Sequence, residues 1–135
     1  MKIYGVGTDI ANIKRINKSL KNKEFIKRLF NKDEIKRCNN QLNKANCYAK
    51  RFAAKEAFSK AIGTGISKGI NFNEIIVHNS KLGKPYIKLL GGTKKIVNKI
   101  LNKKRISIYL SLSDDKPFAI ATVILTTKWK INYKK

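Results

Sequence analysis

The chain has 135 residues and is strongly basic, with 31 lysines and arginines against eight aspartates and glutamates and a formal net charge of +23. A chain of this length can bury one hydrophobic core, so we expect a single domain over residues 1–135 with a frayed basic tail at 128–135. No apolar run approaches the roughly 20 residues of a membrane-spanning helix, and the basic N-terminus lacks the apolar centre of a signal peptide. We therefore expect no membrane span and a cytoplasmic protein; a leader removed before this numbering begins would instead indicate an organelle.

The N-terminal stretch Lys2–Ile10 predicts a β-strand. It is apolar and interrupted by Gly5 and Gly7, which indicates that other backbone or a ligand approaches closely there. Asp9 comes at the expected end of this strand. Its carboxylate either caps a helix that begins two or three residues later or holds a metal ion, and from this stretch alone both interpretations remain open.

The next segment predicts an amphipathic helix whose apolar face contains Ile13, Ile16 and Leu20. Basic residues flank this face and continue into the following segment: Lys14, Arg15, Lys18, Lys21 and Arg28. A run of charge is most often a solvated helix face. The alternative is a docking surface for an acidic partner.

The region between residues 31 and 47 carries fewer functional signals. Asn31 predicts the N-cap of another helix, and the polar stretch 39–44 predicts a loop. Cys38 and Cys47 match no metal-ligand spacing, so we interpret them as a reduced pair in an intracellular protein.

The most informative stretch of the chain is Arg51–Ile66. It lies within a helical pattern of Ala, Phe and Ile that runs from Ala45 to Ala61, and Gly63 with Gly65 closes the pattern in the manner of a helix C-terminus. The small apolar residues predict that one face of this helix is buried deeply in the protein.

Glu56 does not fit this apolar face. Its spacing from Phe52 and Ala53 places a carboxylate on or beside the buried side, and a buried carboxylate requires a partner. One candidate partner is Lys60, one helical turn further along, in an ordinary surface pair. The other is a metal ion that Asp9 also binds.

After the central helix the pattern changes to β-strands. Residues 75–77 and 85–89 flank a turn and predict one hairpin, and residues 106–113 and 118–126 predict a second. Thr93 predicts the N-cap of a short helix between the hairpins. We expect an α+β fold in which the first strand, both hairpins and the central helix share one core.

Four blocks of this chain, in the same order, resemble the holo-acyl-carrier-protein synthase family. They are Tyr4–Ile10, Arg51–Ile66, Gly83–Ile87, and Ser111–Asp115 together with Ala119–Leu125. The resemblance implies an α+β domain with a central helix on an antiparallel sheet. It also implies a transferase that moves the 4'-phosphopantetheine arm of coenzyme A to a serine of acyl carrier protein, releases adenosine 3',5'-bisphosphate and supports fatty acid biosynthesis.

The resemblance implies roles for the residues singled out above. Asp9 and Glu56 would hold Mg²⁺, and both, with Lys60, would be catalytic; Mg²⁺ typically uses one or two carboxylates plus substrate phosphates. The residues implied for coenzyme A binding are Arg51, Lys60, Gly63, Thr64, Gly65, Gly83, Lys84, Pro85 and Tyr109. Glu56, Asp9 and a metal-bound water remain three alternatives for removing the serine proton.

The resemblance also implies the partners of the protein. Acidic acyl carrier protein would dock on the basic positions Lys14, Arg15, Lys18, Lys21 and Arg28, because opposite charges steer encounter. The family forms trimers with coenzyme A between neighbours. One position departs from the family pattern, because many relatives have a histidine where this chain has Tyr109, whose hydroxyl donates one hydrogen bond but carries no charge.

The high net charge supports an alternative from another class, a nucleic-acid-binding module. Only five of the 31 basic residues are arginine, the residue that most contacts to base edges use, so we expect nucleic-acid binding to be nonspecific. A further alternative is a carrier-specific transferase of the same superfamily that serves a synthase rather than a free carrier protein.

Overall fold

The computed structural model describes residues 1–63 and 69–130 and confirms the α+β prediction. Its strands are β1 (Lys2–Asn12), β2 (Ile75–Asn79), β3 (Pro85–Leu89), β4 (Arg105–Asp115) and β5 (Phe118–Lys128). Its helices are α1 (Ile13–Ser19), α2 (Lys23–Leu29), α3 (Lys32–Asn39), α4 (Lys44–Ile62) and α5 (Gly91–Ile100), with a short 3₁₀ helix at Phe72–Glu74. In this described part of the chain, no helix combines the length and the apolar character needed to cross a membrane.

Helix α4 is the centre of the fold. It packs across β1 and β5 of an antiparallel sheet with the order β1-β5-β4, and it also contacts the hairpin formed by β2 and β3. Ala53, Ala57 and Phe58 on α4 and Ala121 and Val123 on β5 are fully buried between these layers. The first strand, both hairpins and the central helix therefore share one core, as predicted.

Two glycines bring β1 directly onto α4. A Cβ atom at Gly5 would overlap the carbonyl oxygen of Ala61, and one at Gly7 would overlap that of Ala57. This is the close backbone approach that the sequence predicted. Because alternate residues of a strand share a face, Asp9 lies on the same side of β1 as these glycines and is directed toward α4.

The predicted end of β1 was wrong. Pairing with β5 continues past Asp9 to Asn12, which is opposite Phe118. The cap of α1 is Asn12, whose Oδ1 accepts a hydrogen bond from the backbone N–H of Arg15 at 3.1 Å. The additional pairs with β5 keep Asp9 inside the strand, so the helix-cap interpretation of Asp9 is excluded.

The prediction of reduced cysteines was also wrong, because Cys38 and Cys47 form a disulfide bond. Cys38 lies in the last turn of α3 and Cys47 in the first turns of α4. The loop of residues 40–43 reverses the chain and brings the two Cα atoms within 5.4 Å of each other. The spacing of the two cysteines in the sequence does not reveal this arrangement, because it depends on how α3 and α4 are joined.

Helix α5 is capped by a different residue from the one predicted. It begins at Gly91, and the Glu74 carboxylate accepts hydrogen bonds from the backbone N–H groups of Gly92 and Thr93 and from the Thr93 hydroxyl. Thr93 lies inside the first turn. The sequence pattern missed this cap because Glu74 precedes the helix by more than 15 residues.

Candidate active site

Asp9, Glu56 and Lys60 lie together where β1 meets α4. Lys60 Nζ donates one hydrogen bond to Asp9 Oδ1 and another to the Thr8 carbonyl oxygen, each at 3.0 Å. The Asp9 side chain is 17% exposed and that of Lys60 is 56% exposed, so the cluster opens to solvent on the lysine side. Among the described residues, Lys60 forms its ion pair with Asp9 and not with Glu56, which excludes the simple helix-surface pair.

The surroundings of Glu56 favour its neutral form. Burial and the negative charge of Asp9 raise the pKa of the Glu56 carboxyl, and the positive charge of Lys60 acts in the opposite direction. The positive charge of Lys60 thus acts on two neighbouring carboxyl groups, those of Asp9 and Glu56. An additional cation would stabilise the ionised form of both.

The donors at this contact fit Mg²⁺. This ion keeps several waters and is bound through one or two carboxylates together with substrate phosphates, and Asp9 and Glu56 supply two carboxylates on facing elements. Over residues 1–63 and 69–130, no group of three or more Asp, Glu, His or Cys side chains is gathered as a metal cage. A Mg²⁺ ion held by these two carboxylates would keep coordination positions for water and substrate oxygens.

Arg51 lies in a separate cavity of about 410 Å³ beside the first half of α4. Its guanidinium donates to Asn79 Oδ1 at 2.9 Å and to Cys47 Sγ at 3.2 Å, and its Nε is buried without a hydrogen-bond partner in the described structure. Burial lowers the pKa of Arg51. Arg37 and Lys50 also line this cavity, so its walls offer three positive charges to an anion.

Lys84, Pro85 and Tyr109 line a second cavity of about 400 Å³ between the β2–β3 hairpin and the larger sheet. The turn that precedes Lys84 requires a glycine, because Gly83 has a φ of 89°. Tyr109 is half exposed at the cavity wall. The hairpin borders both cavities, since Asn79 lines the first and its neighbour Ser80 lines the second.

The remaining predicted site residues are the glycine-rich stretch 63–65 and the basic residues predicted to dock the carrier protein. Gly63 ends α4 with a φ of 86°, whereas Thr64 and Gly65 lie outside the described residues. The predicted docking residues are all exposed on α1, on α2 and in the short link between them: Lys14, Arg15, Lys18, Lys21 and Arg28. Those on α1 are exposed while Ile13 and Ile16 of the same helix are buried, as predicted for an amphipathic helix.

Sequence reasoning missed a buried ion pair beneath α4. Lys55 Nζ lies 2.6 Å from Glu34 Oε1, and both side chains are completely buried. Burial lowers the pKa of Lys55 to about 8, while the charge of Glu34 acts to raise it. The signal was available, because Lys55 follows Tyr48 by two helical turns and precedes Phe58 by one, which places it on a face with two large buried residues.

Comparison with known proteins gives the family of the chain. Residues 5–123 match the model of the 4'-phosphopantetheinyl transferase superfamily. The holo-[acyl-carrier-protein] synthase of Pelagibacter ubique is 51% identical over 128 residues, which are 95% of this chain and 100% of that protein.

Solved structures give the same assignment. The holo-[acyl-carrier-protein] synthase of Neisseria meningitidis aligns with a TM-score of 0.81 and 35% identity, over 92% of this chain and 98% of that one. The Helicobacter pylori holo-[acyl-carrier-protein] synthase, solved in complex with coenzyme A, aligns with a TM-score of 0.76 and 33% identity, over 90% of this chain and 99% of that one. The chain is thus an enzyme that belongs to the 4'-phosphopantetheinyl transferase superfamily, in its holo-acyl-carrier-protein synthase family.

Proposed function

We propose that the protein transfers the 4'-phosphopantetheine group of coenzyme A to a serine of apo acyl carrier protein. The reaction depends on Mg²⁺, releases adenosine 3',5'-bisphosphate and supports fatty acid biosynthesis. The observation that carries this proposal is the placement of Asp9 and Glu56 on facing elements with Lys60 between them and solvent. The names of the similar enzymes and the coenzyme A complex of one of them support the choice of substrates.

The bond changes are those of a phosphoryl transfer. The serine oxygen of the carrier forms a bond to the phosphorus that bears pantetheine, and the bond from that phosphorus to the oxygen of adenosine 3',5'-bisphosphate breaks. When bound at Asp9 and Glu56, Mg²⁺ would neutralise negative charge on the pyrophosphate. The residues of the chain then have to bind the phosphates, accept a proton and orient the two substrates.

Lys60 and Glu56 have the properties that these steps need. Lys60 is exposed on a flexible stem, so it can exchange its bond with Asp9 for a bond to a phosphate oxygen. Glu56 accepts the serine proton in this proposal, because its carboxylate lies in one cluster with Asp9 and with the lysine that binds the phosphate.

In this proposal the two cavities, whose walls do not include Asp9, Glu56 or Lys60, hold the rest of coenzyme A. The cavity of Arg51 presents guanidinium and ammonium groups to a phosphate, and Arg51 itself is fixed by Asn79. The second cavity offers Lys84 and the Tyr109 hydroxyl together with apolar walls. Tyr109 provides a hydrogen bond where many relatives have a histidine.

The exposed basic surface of α1 and α2 docks the carrier protein. Its five cationic side chains project into solvent, where charge acts mainly on the rate of encounter: Lys14, Arg15, Lys18, Lys21 and Arg28. Helix α1 follows directly after β1, the strand that carries Asp9, so the proposed docking surface begins close in the chain to the proposed metal site.

The active form in this proposal is a homotrimer. The face of the larger sheet opposite α4 leaves Val6, Ile10, Ile120 and Ile124 exposed, with Val6 at 59% and Ile124 at 37%. Strand pairing places Val6, Ile124 and Tyr109 in one row across three strands. An apolar surface of this kind favours contact with another protein surface, and Tyr109 connects it to the second cavity.

Intact-mass measurement of apo acyl carrier protein tests the reaction. The carrier is incubated with this protein, coenzyme A and Mg²⁺, and a parallel sample contains excess chelator. We expect the carrier to gain one phosphopantetheine group only in the sample without chelator. The absence of any gain with several different carriers and a folded enzyme would reject the proposed reaction.

A further inference from the structure

We propose that the buried Glu34–Lys55 ion pair is a positioning device that fixes the rotation of α4 about its axis and thereby keeps Glu56 directed at Asp9. This inference rests on the proposed function, because it assigns a catalytic consequence to a contact outside the active site. Neither Glu34 nor Lys55 touches the substrate cavities.

Lys55 connects α4 to two other elements at once. Its Nζ donates to Glu34 Oε1 of α3 at 2.6 Å and to the carbonyl oxygen of Phe72 in the 3₁₀ helix at 2.8 Å. The ammonium also lies 5.3 Å from the centre of the Phe30 ring. A side chain held from several directions in a closed space has one available rotamer, so the backbone of α4 at Lys55 is held as well.

Glu34 extends the network to two further backbone groups. Its Oε1 accepts a hydrogen bond from the N–H of Asn31 at 3.0 Å, and its Oε2 accepts one from the N–H of Val77 in β2 at 3.1 Å. Both carboxylate oxygens of Glu34 thus have hydrogen-bond partners, as do two of the three N–H donors of Lys55. The pair joins α4, α3, the 3₁₀ helix and β2 through directional bonds.

On the side of α4 that faces β1, the described structure has one directional side-chain contact, that of Lys60 with Asp9 and the Thr8 carbonyl oxygen, and this lysine is exposed and bonds to a phosphate in the proposed reaction. There the helix rests on Gly7 and Gly5 through the carbonyl oxygens of Ala57 and Ala61. Such flat contacts fix the distance between strand and helix, but they resist rotation of the helix weakly. The orientation of α4 therefore depends on directional contacts away from β1, which include the bond of Arg51 to Asn79 and the Glu34–Lys55 pair. Of these, the Glu34–Lys55 pair is completely buried and directly adjoins Glu56 in the chain.

Glu56 is the neighbour of Lys55, so a rotation of α4 moves its carboxylate directly. A glutamate carboxylate lies roughly 6 Å from the helix axis, and a rotation of about 10° shifts it by about 1 Å. A misplacement of about 1 Å at a reacting centre can reduce the rate by about 100-fold. The orientation of α4 therefore affects the rate of the proposed reaction.

Stability alone is a weak explanation for this pair. Desolvation of two buried charges offsets most of their attraction, and well-packed apolar replacements of such pairs are often neutral or stabilising. An apolar pair would preserve the core volume, but it would lack the directional bonds to Phe72 and Val77. This difference separates a positioning role from a purely structural one.

The double variant Glu34→Leu/Lys55→Met tests the inference. We would measure three properties of the full-length variant. They are its thermal unfolding, its kcat and KM for coenzyme A, and its affinity for Mn²⁺ by electron paramagnetic resonance. We expect the variant to fold and its KM for coenzyme A to stay within about twofold of wild type. Its kcat and its affinity for Mn²⁺ should each be lower than wild type by about 10-fold or more, as for changes in groups that orient metal ligands. Wild-type kcat and Mn²⁺ affinity in the folded double variant would overturn the inference.

Val97→Ala is the matched control, because it removes buried volume from α5 and lowers stability without altering the ion pair. We expect it to keep wild-type kcat. If the double variant does not fold, the single variant Lys55→Arg tests the inference instead. Arginine keeps the positive charge but changes the geometry of the hydrogen bonds. A lower kcat would support the inference, and an unchanged kcat would overturn it. Absence of transfer by the wild-type protein would reject the proposed function, while the Mn²⁺ comparison would still test the ion pair.

Discussion

Lys60 bonds to Asp9 across the contact of β1 and α4, although Glu56 lies one turn away from Lys60 on the same helix. The single exposed cation of the cluster therefore joins the two elements instead of stabilising one of them. The raised pKa of Glu56 follows from its burial and from Asp9. The arrangement leaves two carboxyl groups whose combined charge is only partly compensated, which suits a site that receives a divalent cation.

Glu56→Gln separates the chemistry from the fold. Glutamine has the same shape as glutamate, but it cannot accept the serine proton and is a poorer ligand for Mg²⁺. We expect kcat to fall by about 100-fold or more, and the melting temperature to stay the same or rise, because the cost of burying a carboxylate is removed. Mass spectrometry of phosphopantetheine transfer checks the expected fall in kcat, and thermal unfolding followed by circular dichroism checks the expected melting temperature. Full activity of this variant would reject the assignment of Glu56.

Reversal of charge on α1 tests carrier docking. In Lys14→Glu/Arg15→Glu we expect a higher KM for acyl carrier protein at low salt, an unchanged KM for coenzyme A and a flatter dependence of rate on ionic strength. Steady-state kinetics between low and physiological salt provide the measurement.

The control for this experiment carries the same change of net charge elsewhere. Lys94 and Lys95 are exposed on α5, so Lys94→Glu/Lys95→Glu reproduces the loss of overall attraction without altering α1. We expect it to remain near wild type. An equal effect of the two double variants would mean that net charge, and not the surface of α1, governs capture of the carrier.

Much of the fold was predictable from local patterns in the sequence. The apolar spacing of α4, its terminal Gly63 and the paired strand segments each depend on residues that are near one another in the chain, and the structure confirms them. The anomaly of Glu56 was visible for the same reason, because a carboxylate on an apolar helix face stands out within a single helix.

The contacts that could not be predicted join distant parts of the chain. Glu34 and Lys55 lie 21 positions apart in the sequence, and their ion pair forms only when α3 and α4 pack together. The end of β1 depends on how far β5 continues beside it, which no property of Asp9 reveals. Residue patterns therefore predicted the groups of the candidate active site, but not the contacts that hold them in place.

Gly7→Ala tests whether the approach of β1 to α4 is needed. An added Cβ atom would overlap the Ala57 carbonyl oxygen, and backbone cannot move aside as a side chain does. We expect a loss of about 1–3 kcal/mol in the free energy of unfolding, measured by urea denaturation. Gly92→Ala is the control, because its nearest neighbour would be 4.0 Å away, and we expect equal or slightly higher stability. Equal stability of both variants would contradict the close contact.

Glu74 gives a stability change that depends on pH. Desolvation acts to raise the pKa of this carboxyl, but hydrogen bonds from Asn71, Thr93 and Gly92 outweigh it and lower the pKa from its ordinary value of 4.5. Because the pKa is lower in the folded protein than in the unfolded chain, the carboxylate stabilises the fold fully above about pH 4.5. This contribution is lost as the pH falls through the folded-state pKa.

Thermal unfolding of wild type and Glu74→Gln at several pH values checks this expectation. At pH 7 we expect the variant to unfold about 4 °C below wild type, as for the loss of a helix cap. The difference should become smaller from pH 5 to pH 3. A difference that stays constant over this range would mean that ionisation of Glu74 does not contribute to the cap.

The exposed face of the larger sheet makes oligomeric state a measurable consequence of the fold. Val6 is 59% exposed and lies in one row with Ile124 and Tyr109, so Val6→Lys places a charge at the centre of the proposed trimer contact without disturbing the buried core. We expect the wild type to have the mass of a trimer by light scattering after size exclusion, and the variant to have that of a monomer with an unchanged circular dichroism spectrum. Because Tyr109 lines the second cavity, the variant should also have a higher KM for coenzyme A. Leu82→Lys, at a fully exposed turn position, should remain trimeric; a monomeric wild type, or a trimeric Val6→Lys variant, would reject this contact.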